Sequence, residues 1–463
     1  MIGPMPSLLA PEALLATGWV RDVLLEWDSD GILTRVEPRQ ATSDAPRAAG
    51  PVLPGMANVH SHAFQRAMAG LAERRGHPTD DFWTWRETMY DLVARLEPED
   101  VQAIAEFLYV EMLKHGYTAV AEFHYLHRDR AGKPYADIAT LPDRIVGAAQ
   151  SSGIALTMLP VLYRHGGFGG FALKGGQLRF ASDATSIGAL LHELARRHNG
   201  VKHLRLGVAP HSVRAIDAMQ LTDIVTIAVG IDESMPIHMH LSEQTREVAE
   251  CEATHGVTPF EWVSGIVDVD RCWCFIHSTH LTPREMEKAA RCEAVLGLCP
   301  TTEANLGDGI FDFPAWFSRD GAWGIGGDSH VSVSPFEELR GLEASQRLRL
   351  RVRNVAASEK DPDVASNLWS GAAQGGARAI GQPIGALAPG RRADFIVLDG
   401  NDPDFENLRG DDRLAVAMFS GSSNRVRDVF VAGKPVVEEG HHIREHEAAD
   451  GYRAALRRLR ARG

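Results

Sequence analysis

The chain has 463 residues, 44% of them hydrophobic, which suits one large cored domain with a smaller companion. Its formal charge of -13 at pH 7 excludes an ordinary nucleic-acid binder, which needs a concentrated excess of Lys and Arg, so a small partner is expected. Five scattered cysteines, Cys251, Cys272, Cys274, Cys292 and Cys299, exclude a disulfide framework and fit a reducing cytoplasm.

The opening residues carry no basic leader, are interrupted by Pro4, Pro6 and Pro11, and reach Arg21 quickly, so neither a signal peptide nor a membrane span is expected. From about residue 8 to 50 the pattern is strand-like: VRDVLLEW and ILTRVEP flank Asp28-Ser29-Asp30-Gly31, a hairpin-turn composition. Residues 1–53 therefore read as the first part of a small β domain. Between 54 and 384 the rhythm changes. Eight apolar runs recur between helical patterns: VLPGMANVHSH, TAVAEFHY, ALTMLPVLY, LRLGVAPHSV, PIHMHLSE, CWCFIHSTHL, AVLGLCPTTE and AWGIGGDSH. The clearest helix begins near Pro98, presents Ile104, Phe107, Leu108 and Met112 on one face, and stops at Gly116. Strands alternating with helices in this way predict an α/β fold, a (β/α)8 TIM-type barrel. Cys272 and Cys274 lie in an apolar run with no second pair at zinc-site spacing, and read as core packing.

Residues 385–442 return to strands, GALAPGRRADFIVLD and VRDVFVAGKPVVEEG, expected to join the N-terminal strands in a small β-sandwich domain. Residues 443–463 read as a terminal helix, with Arg453, Arg457, Arg458, Arg460 and Arg462 opposite Leu456 and Leu459, solvated along its basic face.

A barrel of this kind places its chemistry where strands end and loops begin. His60 and His62 stand one residue apart on a strand, and the period of two aims both imidazoles at the same face. Alone, such a pair is weak. It is joined by His238-Met239-His240-Leu241-Ser242-Glu243, by His277-Ser278-Thr279-His280 and by Gly326-Gly327-Asp328-Ser329-His330, each at the end of a further run. Strand spacing leaves His238 and His240 equivalent.

These residues resemble the amidohydrolase superfamily, whose barrels carry H-x-H after the first strand, histidines after the fifth and sixth, and Asp after the eighth. The resemblance implies His60, His62, His240 and Asp328 as ligands of one divalent ion, Zn2+ before iron or manganese. The superfamily's H-x-x-E spacing selects His240 with Glu243 and leaves His238 buried behind. No Lys or Glu in ALTMLPVLY or LRLGVAPHSV offers the bridge that binuclear members use, so a single ion is expected. Such an ion activates water near neutral pH. Asp328 is expected to hold that water, Glu243 to serve as general acid and base, and His277 to steady charge at the attacked centre. His280 reads as an ordinary polar residue.

The substrate must be read from the segments around the metal. Gln65 follows the first strand, Arg86 sits in an aromatic-rich segment from Asp81 to Tyr90 that reads as a loop, Tyr125 ends the second strand, and His211 and Arg214 end the fourth. Two guanidinium forks with tyrosine, glutamine and histidine make a cradle for two carboxylates, which implies a small dianionic substrate. The resemblance narrows accordingly. HSHAFQRAMAG at 60–70, FWTWRE at 82–87, CPTTEANLGDG at 299–309 and G-x-G-x-DSH at 324–330 are similar to the formimidoylglutamate deiminases of histidine degradation. Those enzymes hydrolyse an amino-acid-derived N-formimino group. The resemblance implies Arg86 and Tyr125 on one carboxylate, Gln65, His211 and Arg214 on the other, and a homodimer. One departure is Gly327, where a Ser is expected. Glu303 and Asn305 read as residues that order a loop. The alternatives are a deaminase of a heterocycle such as guanine or an adenosine derivative, a hydrolase of the imidazolone ring, and a metal-bearing scaffold without catalysis.

Overall fold

The computed structural model describes residues 5–76, 80–359, 361–421 and 423–462; Pro4 lies outside them. The chain opens with β1 (Ser7–Leu15), β2 (Gly18–Trp27), β3 (Leu33–Glu37) and β4 (Val52–Pro54). The Asp28 carboxylate makes the turn between β2 and β3, accepting from the N–H groups of Asp30 and Ile32 at 2.8 and 3.0 Å.

The parallel strands that follow are β5 (Met56–Ser61), β6 (Tyr117–His124), β7 (Ala155–Leu162), β8 (Leu204–Leu206), β9 (Ala209–Pro210), β10 (Ile237–Leu241), β11 (Trp273–His277), β12 (Val295–Leu298) and β13 (Trp323–Ile325). They pair in the order β10-β11-β12-β13-β5-β6-β7-β8, with β9 on β7. Parallel bridges Val208–Ile237 and Ser212–His240 close the ring onto β10. Every residue of β5, β6, β7, β10 and β11 is buried, which is why these strands read as apolar runs. The expected fourth strand is split in two at Gly207. A Cβ there would stand 2.8 Å from the Pro236 carbonyl oxygen, so the chain turns through a close approach open only to glycine.

The last strands, β14 (Phe395–Leu398), β15 (Val426–Val431), β16 (Lys434–Glu438) and β17 (His441–His442), join the first four in one sheet of order β17-β16-β15-β14-β4-β1-β2-β3. The sandwich expected from sequence is thus a single hydrogen-bonded sheet curled over its own core. Trp27 on β2 meets Phe395 on β14 with ring centroids 5.8 Å apart, although two strands separate theirs in the sheet. Around them pack Leu8, Val23, Leu25, Val52 and Val397.

The helix Pro98–Lys114 has the bounds its apolar face suggests, and the terminal helix Glu445–Ala461 packs against it. The expectation of a solvated basic helix needs correction. Ala448, Ala455 and Leu459 are buried, Tyr452 stacks on Phe107 at 4.4 Å, and Arg458 donates to the Asp100 carboxylate at 2.7 Å. Arg462 donates to the same carboxylate. Asp100 is fully buried, and a buried carboxylate must find cationic or hydrogen-bonding partners, so part of the arginine stripe is drawn inward.

Candidate active site

The strand ends of the barrel bring the expected ligands to one point. β5 delivers His60 and, one residue past its end, His62; β10 delivers His240; Asp328 follows β13 by three residues. His60 Nε2 and His62 Nε2 lie 3.5 and 3.4 Å from Asp328 Oδ1, and His60 Nε2 lies 3.0 Å from His240 Nε2. Tetrahedral zinc with bonds of about 2.0–2.1 Å would separate its ligand atoms by roughly 3.3 Å. The other ring nitrogens explain the aim. His62 Nδ1 donates to the Phe123 carbonyl at 3.0 Å and His240 Nδ1 to the His211 carbonyl at 3.1 Å, leaving both Nε2 lone pairs free for an ion. Burial pushes the His60 imidazole down to about 3 and lowers His62 and His240 as well, holding all three in the neutral, ligating form. Burial alone would raise Asp328, but the imidazoles, His60 foremost, hold it ionised well below the usual carboxylate range. Three neutral nitrogens and one carboxylate at these spacings fit a divalent ion.

The turn carrying Asp328 passes tightly over β5. A Cβ on Gly326 would come within 2.8 Å of the His60 Cβ and 2.9 Å of its backbone nitrogen. The Asn58 side-chain oxygen clamps both segments, accepting from the N–H groups of His60 and Gly327 at 3.2 Å each. At Gly327, where the resemblance led us to expect Ser, a Cβ would meet the His330 ring at 2.8 Å, so glycine makes room for that imidazole. Ser242, His277, Ser278, Asp328 and His330 all have positive φ, from +48° to +67°. Such strain collects where side chains must be held against their backbone preference.

Beside the ligands, His277 Nε2 stands 3.8 Å from Glu243 Oε1 and 3.9 Å from Asp328 Oδ2, while its Nδ1 is 3.3 Å from Glu303 Oε1. Burial alone would lower His277, but Glu243, Glu303 and Asp328 together push it up to about 10, favouring an imidazolium. Burial raises the Glu243 carboxyl against the pull of His277 and Arg214, which suits a group that must accept and return a proton. Glu303 had read as loop-ordering. It lies in the helix Pro300–Leu306, where it also accepts from the Cys299 N–H at 2.8 Å, and so orients His277. Asn305 donates to Glu73 on the exposed surface at 2.6 Å. His238 bonds the Ala379 carbonyl at 2.8 Å, away from the cluster, and His280 bonds the Asp308 carbonyl at 2.9 Å.

A pocket opens above this cluster, and Gln65, Arg86, Tyr125, His211 and Arg214 all line it. The segment around Arg86 is not the loop expected but the helix Phe82–Val93. Asp81 caps it, accepting from the N–H groups of Trp83 and Thr84, while Thr84 Oγ1 accepts from the Asp81 N–H at 2.9 Å. The aromatic density that suggested a loop is one helical face: the Arg86 guanidinium lies over Trp83 and Tyr90, at 4.5 and 5.5 Å. Arg86 has no carboxylate partner among the described residues, whereas Arg214 Nη1 donates to Glu247 at 2.5 Å. Gln65 donates to the Tyr125 hydroxyl at 2.8 Å and keeps its carbonyl oxygen unpartnered. Burial pushes the His211 imidazole well below its ordinary value, so it enters the pocket neutral. Two polar residues at or behind the pocket wall were not anticipated from sequence. Tyr163, which lines the pocket, stands one residue past β7, where the strand-end rule applies; Glu247, behind Arg214, stands four residues after Glu243, the spacing of one helical turn.

Residues 52–436 match the model of the amidohydrolase family. The chain belongs to that family. Within it, the chain is similar to the formimidoylglutamate deiminase of Pseudomonas aeruginosa, at 49% identity over 98% of this chain and 100% of that protein. It is 27% identical to the 5-methylthioadenosine/S-adenosylhomocysteine deaminase of Nitratidesulfovibrio vulgaris, over 90% of this chain and 88% of that one. The crystal structure of an amidohydrolase from Brucella melitensis superposes with a TM-score of 0.92 at 41% identity, covering 98% of this chain and 99% of that one.

Proposed function

We propose that this amidohydrolase hydrolyses N-formimino-L-glutamate to N-formyl-L-glutamate and ammonia, a deimination in histidine degradation. The observation that carries the reading is the pairing of two guanidiniums, Arg86 and Arg214, with the His60–His62–His240–Asp328 cluster in one pocket. The similarity to a formimidoylglutamate deiminase over the full chain supports it.

His60, His62, His240 and Asp328 would hold one divalent ion, Zn2+ by the donor set, which when bound polarises the substrate and activates water. The remaining steps belong to the side chains. Asp328 and His277 hold the attacking water by hydrogen bonds. Glu243 takes its proton as the new C–O bond forms at the formimino carbon. The same carboxyl then returns the proton to the terminal amino group, the C–N bond to that group breaks as Asp328 takes the remaining hydroxyl proton, and ammonia leaves with the C–O bond now the formyl carbonyl and the amino-acid nitrogen retained. His277, oriented by Glu303 at its Nδ1, offsets negative charge developing on the oxygen. Arg86 and Tyr125 grip one carboxylate, with Gln65, His211 and Arg214 on the other.

A cytoplasmic homodimer is the setting we infer, from five free cysteines and the family resemblance. No helix among the described residues is long and apolar enough to cross a membrane. Incubating metal-replete protein with N-formimino-L-glutamate should release ammonia and N-formyl-L-glutamate in equal amounts. Formamide and glutamate would reject the reading.

A further inference from the structure

Behind the pocket wall, Glu247 is fully buried in the helix Thr245–His255 and has two partners. One carboxylate oxygen takes a hydrogen bond from Arg214 Nη1 at 2.5 Å; the other accepts from the Ser242 N–H at 3.2 Å. Ser242, at φ +50°, forms the turn between the ligand His240 and Glu243. Arg214 faces the pocket with its Nε unpartnered among the described residues, its guanidinium 5.7 Å from the Phe82 ring centroid. Its inner edge is therefore pinned and its outer edge is left for an anion.

We propose that Glu247 is a positioning residue that fixes Arg214 for a substrate carboxylate and ties it to the turn holding Glu243, so that carboxylate capture and acid–base placement share one anchor. The proposal rests on the reading above, in which Arg214 takes a substrate carboxylate. A bidentate grip needs the guanidinium plane held in one orientation, and a long arginine side chain loses that orientation when its inner hydrogen bond goes. The bond is charge-assisted and dry, so weakening it is felt more than it would be at the surface.

The test is a double-mutant cycle on metal-replete protein, with KM and kcat for N-formimino-L-glutamate and, separately, glutarate affinity by calorimetry. Glu247→Gln removes the charge and leaves one acceptor oxygen, which can serve the Ser242 N–H while the NH2 turns to Arg214 Nη1; KM should rise about threefold to tenfold with kcat within about twofold. In an Arg214→Ala background the same change should add nothing to KM, because the residue it acts through is gone. Glu247→Leu also strands the Ser242 N–H, and should lower kcat about tenfold in both backgrounds. Equal KM losses from Glu247→Gln in both backgrounds would overturn the proposal, as would an unchanged KM in the parent background or an unchanged kcat in Glu247→Leu. A parent enzyme that releases no ammonia from N-formimino-L-glutamate rejects the substrate reading instead, and glutarate affinity then carries the cycle.

Discussion

The two ends of the pocket are built by different means. At the metal end the histidines come from a barrel strand or the first residue after one, and the strand period aims them: His60 and His62 from β5, His240 from β10, His277 from β11. At the carboxylate end, Arg86 rides on a helix capped by Asp81, and Arg214 stands four residues beyond β9 on a side chain that Glu247 must steady. Strand register governs the first set; in the second it places Tyr125 and His211, each one residue past a strand, but neither guanidinium. A family with this barrel can therefore keep one reaction and change its substrate by changing what lies between strands.

Variants at the two ends should fail differently. The largest effect is expected for Asp328→Ala, which should lose the ion and at least about ten-thousandfold in kcat; elemental analysis with an ammonia assay checks both at once, and full metal content with full activity would remove the proposed centre. Next comes Glu243→Gln, expected to keep its metal and lose about a thousandfold in kcat. Arg86→Ala should act at the other end, raising KM about tenfold to hundredfold as a charge-assisted pair of roughly 1.5–3 kcal/mol is lost, with a smaller change in kcat. Steady-state kinetics over a wide substrate range separates the two, and a pure kcat defect in Arg86→Ala would blur the division.

A smaller effect is expected at Glu338, which belongs to neither end. It is fully buried and accepts from the N–H and hydroxyl of Thr301, at 2.9 and 2.6 Å, holding the helix that carries Glu303. Burial raises its carboxyl to about 8, so the stability it contributes is full below about 4.5 and is lost as pH rises through about 8. Glu338→Gln should flatten the fall of Tm across that window and leave KM unaltered; an unchanged slope would contradict the assignment.

The same division decides what could be read without a structure. The barrel is visible in the apolar runs because its strands are buried on both faces and carry few polar residues before their C-terminal ends. The Asp81–Tyr90 segment misled because its aromatic density masked an ordinary helix: Phe82, Met89, Leu92 and Val93 form a buried stripe at helical spacing, and the Asp81 and Thr84 capping pair was present. Glu303 looked like part of a loop because only three-dimensional packing of β12 against β11 sets its carboxylate beside His277. Glu247 was invisible for a similar reason: its partner Arg214 lies 33 residues away in sequence. The curling of the small sheet depends on Trp27 meeting Phe395, a contact no local pattern announces.

The central claim is that gripping the substrate and breaking its C–N bond are carried by separate groups of one pocket. It is tested most directly by titrating metal-replete Glu243→Gln with N-formimino-L-glutamate in a calorimeter while ammonia is followed. The account predicts binding within about threefold of the affinity of Glu243→Gln for the product N-formyl-L-glutamate, with ammonia release about a thousandfold below the parent. Loss of measurable binding, or release at the parent's rate, would contradict it.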